Sequence, residues 1–150
     1  MKAVNSVEAH VGFWMRFVSN HVSARFAKSL EALGFTVAEW VTLRTLYGDD
    51  GGTYGELIRV LGVTKGAASK VMSKLERKGL VERHMAENSA KEQVLILTSA
   101  GRKVVPELAA LADENDRFFF GHLYKSERAD LIKLMKELVD HHQLKQVPVK

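Results

Sequence analysis

A cluster of cationic side chains lies between residues 65 and 83. This 19-residue segment contains six Lys and Arg residues against two acids, Glu76 and Glu82. The rest of the 150-residue chain has sixteen cations and sixteen acids, so the whole net charge of +4 lies in this segment. Such a patch is typical of proteins that bind a polyanion. The alternative is a solvated helix face with a chance excess of lysine.

Other kinds of site chemistry have no support in the sequence. The absence of Cys excludes disulfides, thiolate metal sites, Cys nucleophiles and thiol redox sensors. There is no nucleophile elbow, no phosphate-binding Gly loop and no His-Glu-x-x-His motif, so an enzyme is not predicted. His141 and His142 are neighbours and would point about 100° apart on a helix, which does not suit one metal ion. We predict no catalytic residue, no metal ligand and no cofactor.

Length and composition limit the class of protein. A chain of 150 residues fits one domain, or one compact unit with a small second lobe, and 46% apolar residues are enough for a real core. No stretch approaches 18 uncharged apolar residues, and the N-terminus does not resemble a secretory signal. We therefore expect a soluble cytoplasmic protein that does not interact with membranes.

Two short helices separated by a tight turn are predicted to position the cationic segment. Thr53 has the position of a cap for the first helix, and Gly62 is placed to end it. Thr64 then caps the second helix, and Gly79 follows its last turn. This order is typical of a helix-turn-helix, in which the second helix is the basic one.

A small sheet and further helices are predicted around this motif. Residues 80–85 and 93–97 have the composition of strands, and the polar residues 86–92 between them predict a hairpin with a long exposed tip. Residues 48–52 read as a loop. Pro106 is expected to kink or divide the helix that Thr98 caps.

Long helices are predicted at both ends of the chain. Apolar residues recur every three or four positions from 7 to 33, and Gly34 is placed to end that helix. A helix of this length near a chain end often packs against another subunit. The predicted fold class is therefore mainly α with a small β-hairpin wing, a winged helix-turn-helix flanked by N- and C-terminal helices.

The recognition helix of a helix-turn-helix reads DNA mainly through its N-terminal half. Ser69 and Lys70 can donate to base edges, and the Ala68 methyl group can contact a thymine methyl group. Lys74 and Arg77 lie further along, within reach of phosphates. The predicted contacts with double-stranded DNA are Thr64, Lys65, Ala68, Ser69, Lys70, Lys74, Arg77 and, on the wing, Arg83 and Lys91. For the wing tip the alternative is a mobile loop with one ordinary lysine.

The residues from Leu57 to Gly101 resemble the MarR family of bacterial winged helix-turn-helix transcription regulators. The matching pieces are Val63 to Lys70, Leu75 to Arg83 and Leu97 to Gly101, in the family's order and spacing. The family's wing usually has an Asp and, two residues on, an Arg that enters the minor groove. Ser89 and Lys91 occupy those positions here. We therefore expect a less rigid wing and a weaker minor-groove contact, because Lys lacks the planar fork of Arg.

The resemblance implies a homodimer that binds an inverted-repeat operator, commonly as a repressor. It implies dimerisation helices in residues 1–35 and 99–150 and a DNA-binding lobe in residues 36–98. Many members are released from DNA by a small phenolic or aromatic acid, and an aromatic-lined pocket with one cation would suit such an effector. The candidate ligand residues are Phe17, His21, Trp40 and Arg44. Ordinary core, with Arg44 in a salt bridge, is the alternative for them.

Two other functions remain compatible with a winged helix. One is nonspecific architectural DNA binding, and the other is docking to a protein partner. A docking module has no need to concentrate all of its excess positive charge on the recognition helix, whereas a DNA reader does.

Overall fold

The computed structural model describes residues 2–48, 51–86 and 89–145, and of residues 86 and 89–91 the backbone alone. Within these ranges the chain forms six α-helices and one three-stranded antiparallel sheet. The helices are α1 (Val11–Ala32), α2 (Val37–Tyr47), α3 (Tyr54–Leu61), α4 (Lys65–Arg77), α5 (Ser99–Phe120) and α6 (Lys125–His142), and the strands are β1 (Gly52–Thr53), β2 (Val81–Ala86) and β3 (Ser89–Leu97). The predicted fold class, a mainly α winged helix-turn-helix, is confirmed.

The first long helix begins later than predicted. Residues Val7–Ala9 form a separate 3-10 turn, and His10 is extended before α1 begins. Ser6 caps this turn by accepting from the Glu8 amide, and the Trp14 indole N–H donates to the Glu8 carbonyl at 2.9 Å. These local hydrogen bonds stabilise the turn as an alternative to one continuous helix. The predicted end is confirmed, since Gly34 has φ +84° just beyond α1.

The helix-turn-helix forms from local capping signals. The Thr53 hydroxyl accepts from the Glu56 amide at 3.2 Å, and the Thr64 hydroxyl accepts from the Ala67 amide at 3.1 Å. Gly62 ends α3 with φ +64°, a conformation that favours glycine because it has no Cβ. The turn between α3 and α4 is therefore short, and α4 begins at a defined position.

A single apolar core joins α4 to the elements around it. Fully buried leucine and methionine side chains come from α1, α2, α3, α4 and α5 and from the sheet. The largest of them are Leu30, Leu43, Leu46, Leu57, Leu61, Met72, Leu75, Leu95 and Leu108. Because Met72 and Leu75 of α4 belong to this core, the opposite face of α4 points away from it.

The sheet differs from its prediction in two places. Gly52 and Thr53 pair with Leu95 and Val94, so part of the predicted loop is strand β1. The hairpin is also longer than predicted, because Ala86 pairs with Ser89 where the sequence predicts a long unpaired tip. Backbone hydrogen bonding explains both differences, since it depends on the approach of a neighbouring strand and not on a side-chain pattern.

Helix α5 continues through Pro106 from Ser99 to Phe120, so the predicted division of this helix is wrong. A proline inside a helix removes one hydrogen bond and costs about 3 kcal/mol. Val105 and Leu108, on either side of Pro106, are fully buried in the core. Their packing holds both halves of the helix in place.

Candidate nucleic-acid interface

Polar residues of α4 line a shallow groove on the side away from the core. They recur at three- and four-residue steps and so share one helix face. We call this surface the α4 groove; its volume is about 510 Å³, and its lining residues are Gly66, Ser69, Lys70, Ser73, Lys74 and Arg77. Three of these residues are cations and none is an acid. The surface is suited to a polyanion.

The structure brings most of the predicted DNA contacts of α4 together. Ser69, Lys70, Lys74 and Arg77 line the α4 groove. Thr64 and Lys65 are exposed at the helix start beside it. Ser73 is an addition to the predicted set, although its position three residues after Lys70 would have identified it.

The prediction for Ala68 is wrong. Ala68 is fully buried, in line with Met72 and Leu75, so its methyl group cannot reach a base. A position seven residues before Leu75 lies on the same helix face and therefore in the core. The neighbouring Ala67 is exposed instead.

The cations of α4 differ in their surroundings. Lys65, Lys70 and Arg77 are exposed and form no ion pair within the described part of the chain. The Lys74 ammonium lies 3.9 Å from a Glu39 carboxylate oxygen and is half exposed. Lys78, just after α4, donates to the other Glu39 oxygen at 2.6 Å. Lys78 is thus paired with Glu39 at hydrogen-bonding distance, whereas Lys74 is near the same carboxylate without a hydrogen bond.

Of the two predicted wing contacts, the structure describes the side chain of Arg83 alone. Arg83 is three-quarters buried, donates to the Gln93 side chain at 3.3 Å and lies 3.5 Å from the Glu76 carboxylate. Its guanidinium therefore lies between the base of the wing and α4, its Nε makes no hydrogen bond, and its contact with DNA stays a prediction. The predicted contact through Lys91 falls on a side chain outside the described residues.

The four candidate ligand residues do not form one cluster in the single chain. The Phe17 and His21 rings contact each other, with centroids 5.0 Å apart, on an exposed part of α1. Trp40 packs against Phe26, with centroids 6.2 Å apart. Arg44 is exposed and has no salt bridge among the described residues. Of the four candidates only Trp40 packs against the apolar core, as the alternative interpretation expected. The ligand site stays a prediction.

The described ranges contain neither a candidate membrane span nor a candidate metal site. No helix there has the length and apolar character needed to cross a bilayer. The same residues contain no group of three or more His, Asp or Glu side chains arranged to hold a metal ion. Within the described chain the α4 groove is the best candidate for a functional surface.

Comparisons with known proteins agree with this geometry. A model of the MarR family matches residues 33–92, which include α3, α4 and most of the wing. The HTH-type transcriptional repressor Rv2887 of Mycobacterium tuberculosis is 27% identical over 131 residues, which are 87% of this chain and 94% of that protein.

Solved structures share the fold over most of the chain. BpsR of Bordetella bronchiseptica, whose DNA binding is regulated by 6-hydroxynicotinic acid, has a TM-score of 0.79 and 20% identity, covering 92% of this chain and 99% of that one. A mutant of Escherichia coli MarR complexed with operator DNA has a TM-score of 0.75 and 25% identity, covering 86% and 93%. Sequence and fold therefore lead to the same comparison, and the chain is similar to MarR family regulators in both.

Proposed function

We propose that this protein is a transcription regulator that binds an inverted-repeat DNA operator as a homodimer and acts as a repressor. The α4 groove is the observation on which this proposal depends. Its three cations lie on the helix that follows the turn of a helix-turn-helix, the element that enters the major groove in such proteins. In a bacterial cell this target lies in the cytoplasm.

Within the α4 groove we assign two roles. Ser69 and Lys70 lie near the start of α4, where a recognition helix meets base edges, and their hydroxyl and ammonium groups donate to base acceptors. Lys74 and Arg77 lie one and two turns later and bind phosphates. The exposed helix start at Thr64 and Lys65 adds backbone N–H groups that favour a phosphate.

Exposed apolar faces support the homodimer. No residue of α6 is buried in the described single chain, although α6 has 18 residues and an apolar face. At the other end of the chain Val7, Val11 and Trp14 are about half exposed or more. A monomer would leave both surfaces in water, whereas a second copy would cover them. Residues 1–35 and 99–150 are the proposed dimerisation helices, and residues 36–98 the DNA-binding lobe.

We also propose release from DNA by a small aromatic or phenolic acid. Support comes from BpsR, whose DNA binding is regulated by 6-hydroxynicotinic acid. The exposed Phe17–His21 pair and the Arg44 cation are candidates to contact the aromatic ring and the carboxylate of such an effector once a second subunit covers α1.

Selection of genomic fragments by the purified protein tests the DNA-binding proposal. Fragments retained at near-physiological salt would be sequenced. Enrichment of a two-fold symmetric site is expected. Uniform recovery would indicate nonspecific electrostatic binding, and no recovery, repeated after extraction of bound small molecules, would favour a docking module. Either result would contradict the proposed function.

Replacing Lys70 with alanine should weaken binding to the selected site more than binding to random duplex. Loss of a base contact costs about 1–3 kcal/mol, whereas random duplex is bound mainly through phosphates. Titrations of both duplexes with the Lys70→Ala variant would measure the difference. Equal losses on the two duplexes would contradict base reading by Lys70.

Replacing Lys74 with alanine should weaken binding to both duplexes alike. A phosphate contact releases counterions, and log affinity therefore falls with log salt. We give the size of this slope without its negative sign. Loss of one contact lowers it by about 0.9, or by about two per dimer. A potassium chloride series measures that slope for the wild type and for Lys74→Ala. An unchanged slope would show that Lys74 does not bind a phosphate.

A further inference from the structure

A buried carboxylate lies directly behind the α4 groove. Glu39, in the first turn of α2, is 1% exposed. One of its oxygens accepts from the Thr36 amide at 3.0 Å, and the other accepts from the Lys78 ammonium at 2.6 Å. The first oxygen also has Lys74 at 3.9 Å. We call Glu39, Lys74 and Lys78 the Glu39 cluster; it contains two cations and one acid.

Lys78 is held at the back of this cluster by three contacts. Besides Glu39, its ammonium donates to the Gly34 carbonyl at 2.6 Å and lies 4.4 Å from the centre of the Phe35 ring. These contacts join the end of α4 to the turn between α1 and α2. Lys78 does not line the α4 groove, and its donors point to protein acceptors.

Lys74 occupies a different position in the same cluster. It lines the α4 groove and is half exposed, and its distance of 3.9 Å from Glu39 is too long for a hydrogen bond. A buried carboxylate is costly without a paired cation. While Lys78 meets this need at hydrogen-bonding distance, the Lys74 ammonium remains available to a ligand in the groove.

We propose that Lys78 is a positioning residue for DNA binding that acts through Lys74. By neutralising Glu39, it prevents that carboxylate from drawing Lys74 out of the α4 groove. Without Lys78, Glu39 has Lys74 as its nearest cation, and a phosphate would have to compete with a buried carboxylate for the same ammonium. The inference rests on the proposed DNA binding, although Lys78 itself contacts no DNA.

The test measures the salt dependence of binding to the selected site and to a random-sequence duplex, between about 50 and 200 mM potassium chloride. Lys78→Met should bind more weakly and lower the slope by about two per dimer, as Lys74→Ala does. The double variant Lys74→Ala, Lys78→Met should lower the slope no further, because both changes remove the same phosphate contact. Additive losses would show that Lys78 binds its own phosphate and would overturn the inference.

Removing the charge of Glu39 gives the decisive comparison. In Glu39→Gln, Lys78→Met the amide oxygen can still accept from the Thr36 amide, but no carboxylate competes for Lys74. The slope should therefore return to the wild-type value. A slope that stays low would contradict the inference. Lys28→Met, which removes one exposed cation of α1, is the matched control and should leave the slope unchanged.

Folding and binding are separated within the same experiment. The thermal unfolding of each variant is first followed by circular dichroism. If Lys78→Met is unfolded at the assay temperature, it is replaced by Lys78→Gln, which keeps a neutral donor. Lys78→Arg, which keeps the charge, should retain the wild-type slope, and a reduced slope in that variant would count against the inference. Wild-type protein that binds neither duplex would refute the proposed function instead.

Discussion

Replacing Leu134 and Leu138 with glutamate is expected to convert the protein from a dimer into a monomer of 16.8 kDa or into an aggregate. Both leucines lie on α6, are 59% and 44% exposed in the single chain, and share a face with Leu131, Met135 and Val139. Burying an unpaired polar group costs about 2 kcal/mol or more. Four new carboxylates in a symmetric interface would cost about 8 kcal/mol, which weakens association by more than about 10⁵-fold.

Size-exclusion chromatography with light scattering checks this result. The monomer should also lose binding to a two-fold symmetric site, because one lobe contacts half of it. The control is Lys133→Gln with Lys136→Gln, which makes the same change in charge away from the apolar face of α6. A soluble dimer that survives the two glutamates would place the dimer interface elsewhere.

Replacing Gly101 with alanine is expected to destabilise the fold by about 2–4 kcal/mol. A Cβ at this position would lie 2.1 Å from the Leu80 carbonyl oxygen and 3.1 Å from a Leu97 methyl group. The oxygen belongs to the backbone, and it already accepts from the Thr98 amide at 3.0 Å. The start of α5 would have to move away from the base of the wing.

A favourable effect of alanine opposes this loss. Alanine stabilises a helix interior by about 1 kcal/mol relative to glycine, which is less than the expected cost of the overlap. Gly55→Ala in α3 isolates that favourable effect, because a Cβ there meets no atom within 4 Å. Urea unfolding at one protein concentration compares both variants with the wild type. A Gly101→Ala protein as stable as Gly55→Ala would contradict the close approach.

Predictions that depend on neighbours within one helical turn agree well with the structure. The caps at Thr53, Thr64 and Thr98 are all present, each accepting from the amide three residues on. Gly62 and Gly79 both adopt positive φ at helix ends. A hydroxyl next to an unpaired amide, or a residue without Cβ at a left-handed position, acts locally, so such signals can be read along the chain.

Predictions that depend on what packs against a residue are less accurate. Strand β1 has two residues and exists because Gly52 and Thr53 meet β3. Ala68 has the size and position to face either DNA or the core, and the packing of α4 places it in the core. Helix α5 passes through Pro106 because buried neighbours hold it on both sides.

The roles of the cations illustrate most clearly the difference between what the order of residues determines and what packing determines. The sequence shows that all excess positive charge lies between residues 65 and 83, since counting charges needs no coordinates. It does not show which of these cations is free, because the partner of Lys78 is Glu39, 39 residues away along the chain. Charge and capping depend on the order of residues, whereas burial and ion pairing depend on which distant segments the core brings together.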